Sequence, residues 1–178
     1  MADIAPYPKT QKRNLTRHLI GVPLDNDLNA VCVVLWQSSY FRNLITLGIS
    51  ATQIPSGQYP NQLDSVISLI DTGANVVRAG YWQIGSSVDV TIPSGFSTRI
   101  VAGNVWCDDR PIRDPTSDDI RNVPPFGCAG MGLVQNYIHF LYSGLPDAKF
   151  YRNQRTIMDR HLINYPIVFD NGSMTKSP

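Results

Sequence analysis

The sequence predicts a mainly β chain, an antiparallel β-sandwich or jelly-roll-like domain with one or two short helices and extended terminal arms. Three features carry that prediction. Thirteen glycines and thirteen prolines break the 178 residues into short segments, which leaves few windows for long helices. Ala30 to Trp36 is a continuous apolar run rich in β-branched residues, the pattern of a strand buried on both faces. Val88, Val90 and Ile92 alternate with Ser87, Asp89 and Thr91, the period of a half-buried strand. At this length a single domain hides roughly 70% of the surface its unfolded chain exposes, so the core needs no disulfide or metal.

Residues 1–20 read as an extended basic arm, with Lys9, Lys12, Arg13 and Arg17 against one acid, Asp3, and with Pro6 and Pro8 opposing regular structure. Such an arm either lies across a neighbouring subunit or acidic surface, or stays a solvated end. The domain proper is expected over 21–170. After the Ala30 run comes a second apolar stretch, Leu44 to Ile49, and then Ile54-Pro55-Ser56-Gly57, which recurs as Ile92-Pro93-Ser94-Gly95. Pro presets φ at the first corner of a turn and Gly accepts positive φ at a later one, so both copies predict tight reversals. The second reversal predicts a hairpin in which Phe96 to Trp106 pairs back on Val88 to Ile92.

Leu63, Val66, Ile67 and Ile70 fall at i, i+3, i+4 and i+7, with Asn61 as N-cap and Gly73 past the end, and this spacing predicts a short helix. Between Cys107 and Cys128 lie five aspartates, three arginines and four prolines, a composition that predicts a long irregular loop over 107–128. Met131 to Tyr142 fits either period. Lys149, Arg152, Arg155 and Arg160 then stand among aromatics, Tyr165 to Phe169 reads as a final strand, and 171–178 as a polar C-terminal tail.

The formal charge of +1 withholds the basic field on which sequence-independent nucleic-acid binding relies, so no direct nucleic-acid role is expected. No apolar run approaches the roughly 20 residues of a membrane span, and the N-terminus lacks a secretory apolar stretch. A protein made in the cytoplasm, with no membrane partner, is expected.

Asp71 is the sharpest catalytic candidate. Ser68-Leu69-Ile70-Asp71-Thr72-Gly73-Ala74 resembles the active-site turn of retropepsin-like aspartic proteases. The resemblance implies a homodimer in which one Asp from each subunit shares a proton, with Asp71, Thr72 and Gly73 as the site. Against it, the preceding residues carry helical spacing where that family has a strand. The plainer expectation is a helix ending at Gly73 with Asp71 in solvent.

Cys32 lies in the most apolar run and reads as core. Cys107 and Cys128 flank the acidic loop and are open to two readings, a disulfide closing it or two free thiols. His18, His139 and His161 have no nucleophile motif near them. The aspartates at 108, 109, 114, 118 and 119 lack EF-hand spacing and have Arg110, Arg113 and Arg121 to neutralise them, so no metal and no cofactor is expected. Trp36, Tyr40, Phe41, Tyr81, Trp82 and Trp106 suit either a core or a sugar-stacking platform. Adjacent side chains on a strand point to opposite faces, so one of Tyr81 and Trp82 is expected at an interface, a groove or a second core.

Low charge, many Pro-Gly turns, a basic arm and phrases such as Val88-Asp89-Val90-Thr91-Ile92-Pro93-Ser94-Gly95 give the chain a resemblance to bacteriophage and other virion structural proteins of the sandwich or jelly-roll type. That resemblance implies a non-enzymatic capsid, decoration, neck, tail or spike component located in the virion. Its partners would be copies of itself and other virion proteins, joined through the terminal arms. A module binding a host-surface glycan or receptor is the alternative.

Overall fold

The computed structural model describes residues 14–143, 162 and 167–169. Five strands form one antiparallel sheet: β1 (His18–Pro23), β2 (Leu28–Gln37), β3 (Leu44–Pro55), β4 (Val66–Gly73) and β5 (Gln83–Ser87), in the spatial order β4-β3-β2-β1-β5. The first four make a meander. A short helix, α1 (Asn75–Arg78), follows β4, and β5 then pairs with β1 at the opposite edge. A two-stranded ribbon joins β6 (Val90–Thr91) to β10 (Val168–Phe169). A separate three-stranded sheet contains β7 (Arg99–Val101), β8 (Asn104–Cys107) and β9 (Arg110–Arg113). Two helices, α2 (Ser117–Asn122) and α3 (Met131–Ser143), complete the described chain, which is mainly β and antiparallel.

Both faces of the large sheet are covered, and strand alternation sorts the side chains between them. Ile20, Val22, Ala30, Cys32, Val34, Ile45, Leu47, Ile49 and Ile70 pack with Val134, Tyr137 and Ile138 of α3, and with Leu15 and Trp82. Leu19, Val31, Val33, Leu35 and Leu69 pack on the other face with Val90, Phe96 and Phe169. β2 is therefore buried on both sides, as its unbroken apolar sequence requires. Ser68 Oγ and Tyr137 Oη lie 2.6 Å apart in a buried hydrogen bond that pins α3 to β4.

Several expectations are corrected. In place of the helix expected from Leu63 to Ile70 the chain enters β4 at Val66, because both faces of this strand are buried from Ser68 to Thr72 and a register shift sits beside Val66. Ser50 pairs with Val66 and Ile49 with Ser68, so Ile67 is the extra residue. The bulge puts Val66 on the face of Leu69, and a three-residue apolar spacing arises without a helix.

The expected hairpin across Ile92-Pro93-Ser94-Gly95 also does not form. The reversal itself is present, with Phe96 N–H donating to Pro93 O at 3.2 Å, and the Ile54 copy has Gln58 N–H on Pro55 O at 3.2 Å. Pro is the first residue of each turn, and the third residues, Gly57 and Gly95, take φ of 85° and 78°, where a Cβ would be strained. Thr98 N–H then donates to Gly95 O at 2.9 Å, and this second turn sends the chain away from β6. Residues 96–106 make their own hairpin, β7–β8, through Ala102 and Gly103, both at positive φ.

The 107–128 segment is more regular than a loop. Asp108 and Asp109 take φ of 47° and 64° in a two-residue turn between β8 and β9, and Thr116 and Asp119 form a capping box that starts α2. Met131 to Tyr142 resolves as helix, and the final strand is present as β10. The arm read over 1–20 ends too late: Leu15 is fully buried and β1 begins at His18. Lys9, Lys12 and Arg13, the basic residues at 149–160 and the 171–178 tail lie outside the described residues.

Candidate functional site

The most organised polar site is a buried ion pair where the second face of the sheet meets the three-stranded sheet. Asp71 of β4 and Thr46 of β3 are cross-strand partners on that face. Arg99 of β7 bonds to both. Its Nε donates to Asp71 Oδ2 at 2.8 Å and its Nη2 to Asp71 Oδ1 at 3.1 Å, a two-point fork on one carboxylate. Nη2 also donates to Thr46 Oγ1 at 3.1 Å, and Nη1 donates to Phe96 O at 3.0 Å and Thr98 O at 2.8 Å, so every donor nitrogen of the guanidinium is engaged. Thr46 Oγ1 in turn donates to Asp71 Oδ1 at 2.5 Å.

Trp36 covers the group, with Arg99 Cζ 5.8 Å from its ring centroid. A bulge at Leu35 brings Trp36 to that position: Val34 pairs with Leu47 but Trp36 with Thr46, which turns the indole onto the face of Thr46. The side chains of Arg99 and Asp71 keep only 2% and 1% of their exposure. Asp71 is thus neither at a helix end nor in solvent. Thr72, in the same strand, points to the opposite face and donates to Ala129 O at 2.7 Å. Gly73 ends the strand.

A second cluster lies at the surface. Phe41 packs against Tyr40, Trp106 and Phe126 with ring centroids 5.0, 5.2 and 4.6 Å away, and Tyr40 is 5.2 Å from Trp106. Tyr40 is 64% exposed and Phe126 36%. The buried indole N–H of Trp106 meets no acceptor among the described residues. Asp109 fixes the cluster from its turn: Oδ2 accepts from Ser39 N–H at 2.5 Å, Ser39 Oγ at 2.8 Å and Tyr40 N–H at 3.3 Å, and Oδ1 accepts from Ser38 Oγ at 2.5 Å. Asp108 Oδ1 accepts from Ser97 Oγ at 2.5 Å. Two of the loop aspartates therefore buckle the small sheet to its neighbours.

The other candidates separate. Trp82 is core, 1% exposed, while Tyr81 beside it is 37% exposed. Arg17 stands at positive φ just before β1, with Asp89 at 4.0 Å. Asp119 takes both Nη atoms of Arg113, at 2.5 and 2.8 Å; these bonds, followed by those from Thr116, hold its carboxyl well below the usual carboxylate range. Cys32, Cys107 and Cys128 are free thiols. Burial pushes the Cys32 thiol far up, and partial burial followed by the nearby Asp71 charge raises Cys128. His139 Nε2 lies 3.4 Å from Asp25, at the far end of α3. No cluster of metal-ligating side chains forms among the described residues.

Sequence reasoning singled out Asp71, Tyr40, Phe41 and Trp106 but not Arg99, Thr46 or Phe126, whose roles come from contacts between distant segments. No helix among the described residues is long and apolar enough to cross a membrane. The chain matches no known protein family, no curated protein and no solved structure.

Proposed function

We propose that this protein is a non-enzymatic structural subunit that works by self-association, as a component of a virion such as a capsid, decoration, neck, tail or spike protein. The observation that supports it most is the rigid aromatic cluster of Tyr40, Phe41, Trp106 and Phe126, held in place by Asp109 and partly open to solvent. Aromatic rings fixed in one geometry lose little entropy on docking, which is what recurring contact surfaces use.

Part of the same proposal is the sandwich or jelly-roll architecture, in which the β6–β10 ribbon over Leu19, Val31 and Val33 belongs to a second layer. The terminal arms add contacts across subunit boundaries. The alternative, a glycan- or receptor-binding module, cannot stack a sugar on Trp82, which is 1% exposed, but retains Tyr40. Asp71 has no part in either. Both of its oxygens are held by Arg99 and Thr46 away from solvent, whereas a shared-proton dyad needs a carboxylate that a second carboxylate can approach.

Tyr40→Ser with Phe126→Ser tests the proposal, because both side chains are partly exposed and their removal leaves the core intact. The variant is expected to keep the parent's melting temperature and to lose the parent's oligomer in light scattering. A variant that associates like the parent refutes the role given to the aromatic cluster.

A further inference from the structure

We propose that a polar cleft beside the β2–β3 connection binds a small oxyanion, a carboxylate or phosphate. The cleft has a volume of about 430 Å³, within the range of roughly 300–1,000 Å³ of small-molecule sites. Among the described residues its lining includes Asn14, Gln37, Ser39, Arg42, Asn43 and Arg78, and no acidic residue. The cleft adjoins the aromatic cluster through Ser39 and Arg42, but its ligand does not depend on the self-association argued above.

What identifies the ligand is the direction in which the three amides are fixed. Asn14 Oδ1 accepts from Thr16 N–H at 2.9 Å, and Gln37 Oε1 accepts from Leu15 N–H at 2.8 Å. A backbone N–H must face the carbonyl end of an amide, so these two bonds orient both side chains. Asn43 Oδ1 accepts from Arg78 Nη1 in the same way, and the Asn43 backbone, at φ of 66°, is one that asparagine tolerates better than most residues. In each case the carbonyl end is turned into the fold, and no described residue accepts from the NH₂.

Arg42 is exposed and has no ion-pair partner among the described residues. Ser38 and Ser39 turn their hydroxyls to Asp109, whose charge is thereby satisfied by donors from its own side. Among the described residues the cleft thus presents the amide NH₂ groups and the Arg42 guanidinium, with no carboxylate in its lining. Donors converging around arginine select an acceptor-rich anion. The basic segment just before Asn14, with Lys9, Lys12 and Arg13, has the same sign as Arg42 and is no complement to it.

Calorimetric titration of the full chain with glucuronic acid, N-acetylneuraminic acid, glucose 6-phosphate and inorganic phosphate tests this, with glucose as the neutral control. Saturable binding of at least one acidic probe is expected, weakened by salt and absent for glucose. Binding of the sugar acids alone assigns a carboxylate source, and binding of the phosphates alone a phosphate source. Arg42→Gln should weaken the bound probe about tenfold. Asn14→Asp with Gln37→Glu keeps both acceptors for Thr16 and Leu15 while replacing two donors by carboxylates, so it should fold normally and lose binding. No binding by any acidic probe, equal binding of glucose, or unchanged affinity in both variants overturns the proposal.

Discussion

Asp71 and Arg99 show how one pair of residues decides the geometry of a region. Their charges are removed from water, but the two-point fork, Thr46 and the carbonyls of Phe96 and Thr98 use all the donors of the guanidinium. Removing one partner strands the other charge, so Asp71→Asn is expected to cost about 3–5 kcal/mol in urea unfolding. Replacing both, Asp71→Leu with Arg99→Met, should recover most of that loss, because a packed apolar pair avoids the desolvation cost. A cost under about 1 kcal/mol for Asp71→Asn would show that the pair is not the clamp described. The thiols offer an independent check on burial. In the native state Cys107 and Cys128 should react with a thiol reagent, while Cys32, 0% exposed, should react only on unfolding. Asp71 was visible in the sequence through its Asp-Thr-Gly-Ala setting, but Arg99 lies 28 residues away and no local pattern joins them. The cleft amides gave no signal, because only the fold decides which end of a side-chain amide faces outward.

At the scale of elements, the sequence was most legible where a strand has one clear environment. The run from Ala30 became β2, and both Pro-Ser-Gly turns are present. It was least legible where bulges change the period, as at Ile67, or where a turn signal leaves the partner unspecified, as after Gly95. The start of α2 carries a pH dependence with a definite sign. Asp119 is held below its ordinary range by Arg113 and Thr116, so the native state resists protonation more than the unfolded chain does. Its contribution is complete above the ordinary carboxylate range, about pH 4, and declines as the pH falls from there toward the lowered native value. An NMR titration of the Asp119 carboxyl should show it ionised below pH 4, with the α2 amides losing protection only on further acidification. Titration in the ordinary range contradicts the capping-box account.

At the scale of the whole molecule, both faces of the central sheet are already covered within the chain, by α3 on one side and by Phe96 and the β6–β10 ribbon on the other. The proposed self-association is therefore left to the periphery. The outer strand β9 is exposed along its length and carries Arg110, Pro111 and Arg113, features that disfavour addition of a further strand. On the proposed reading, a neighbouring copy docks instead on side-chain surfaces such as the aromatic cluster. Sedimentation velocity of the purified full chain across a wide concentration range tests this most directly. The account predicts discrete, concentration-dependent oligomers of this chain; a single monomer boundary persisting into the millimolar range contradicts it.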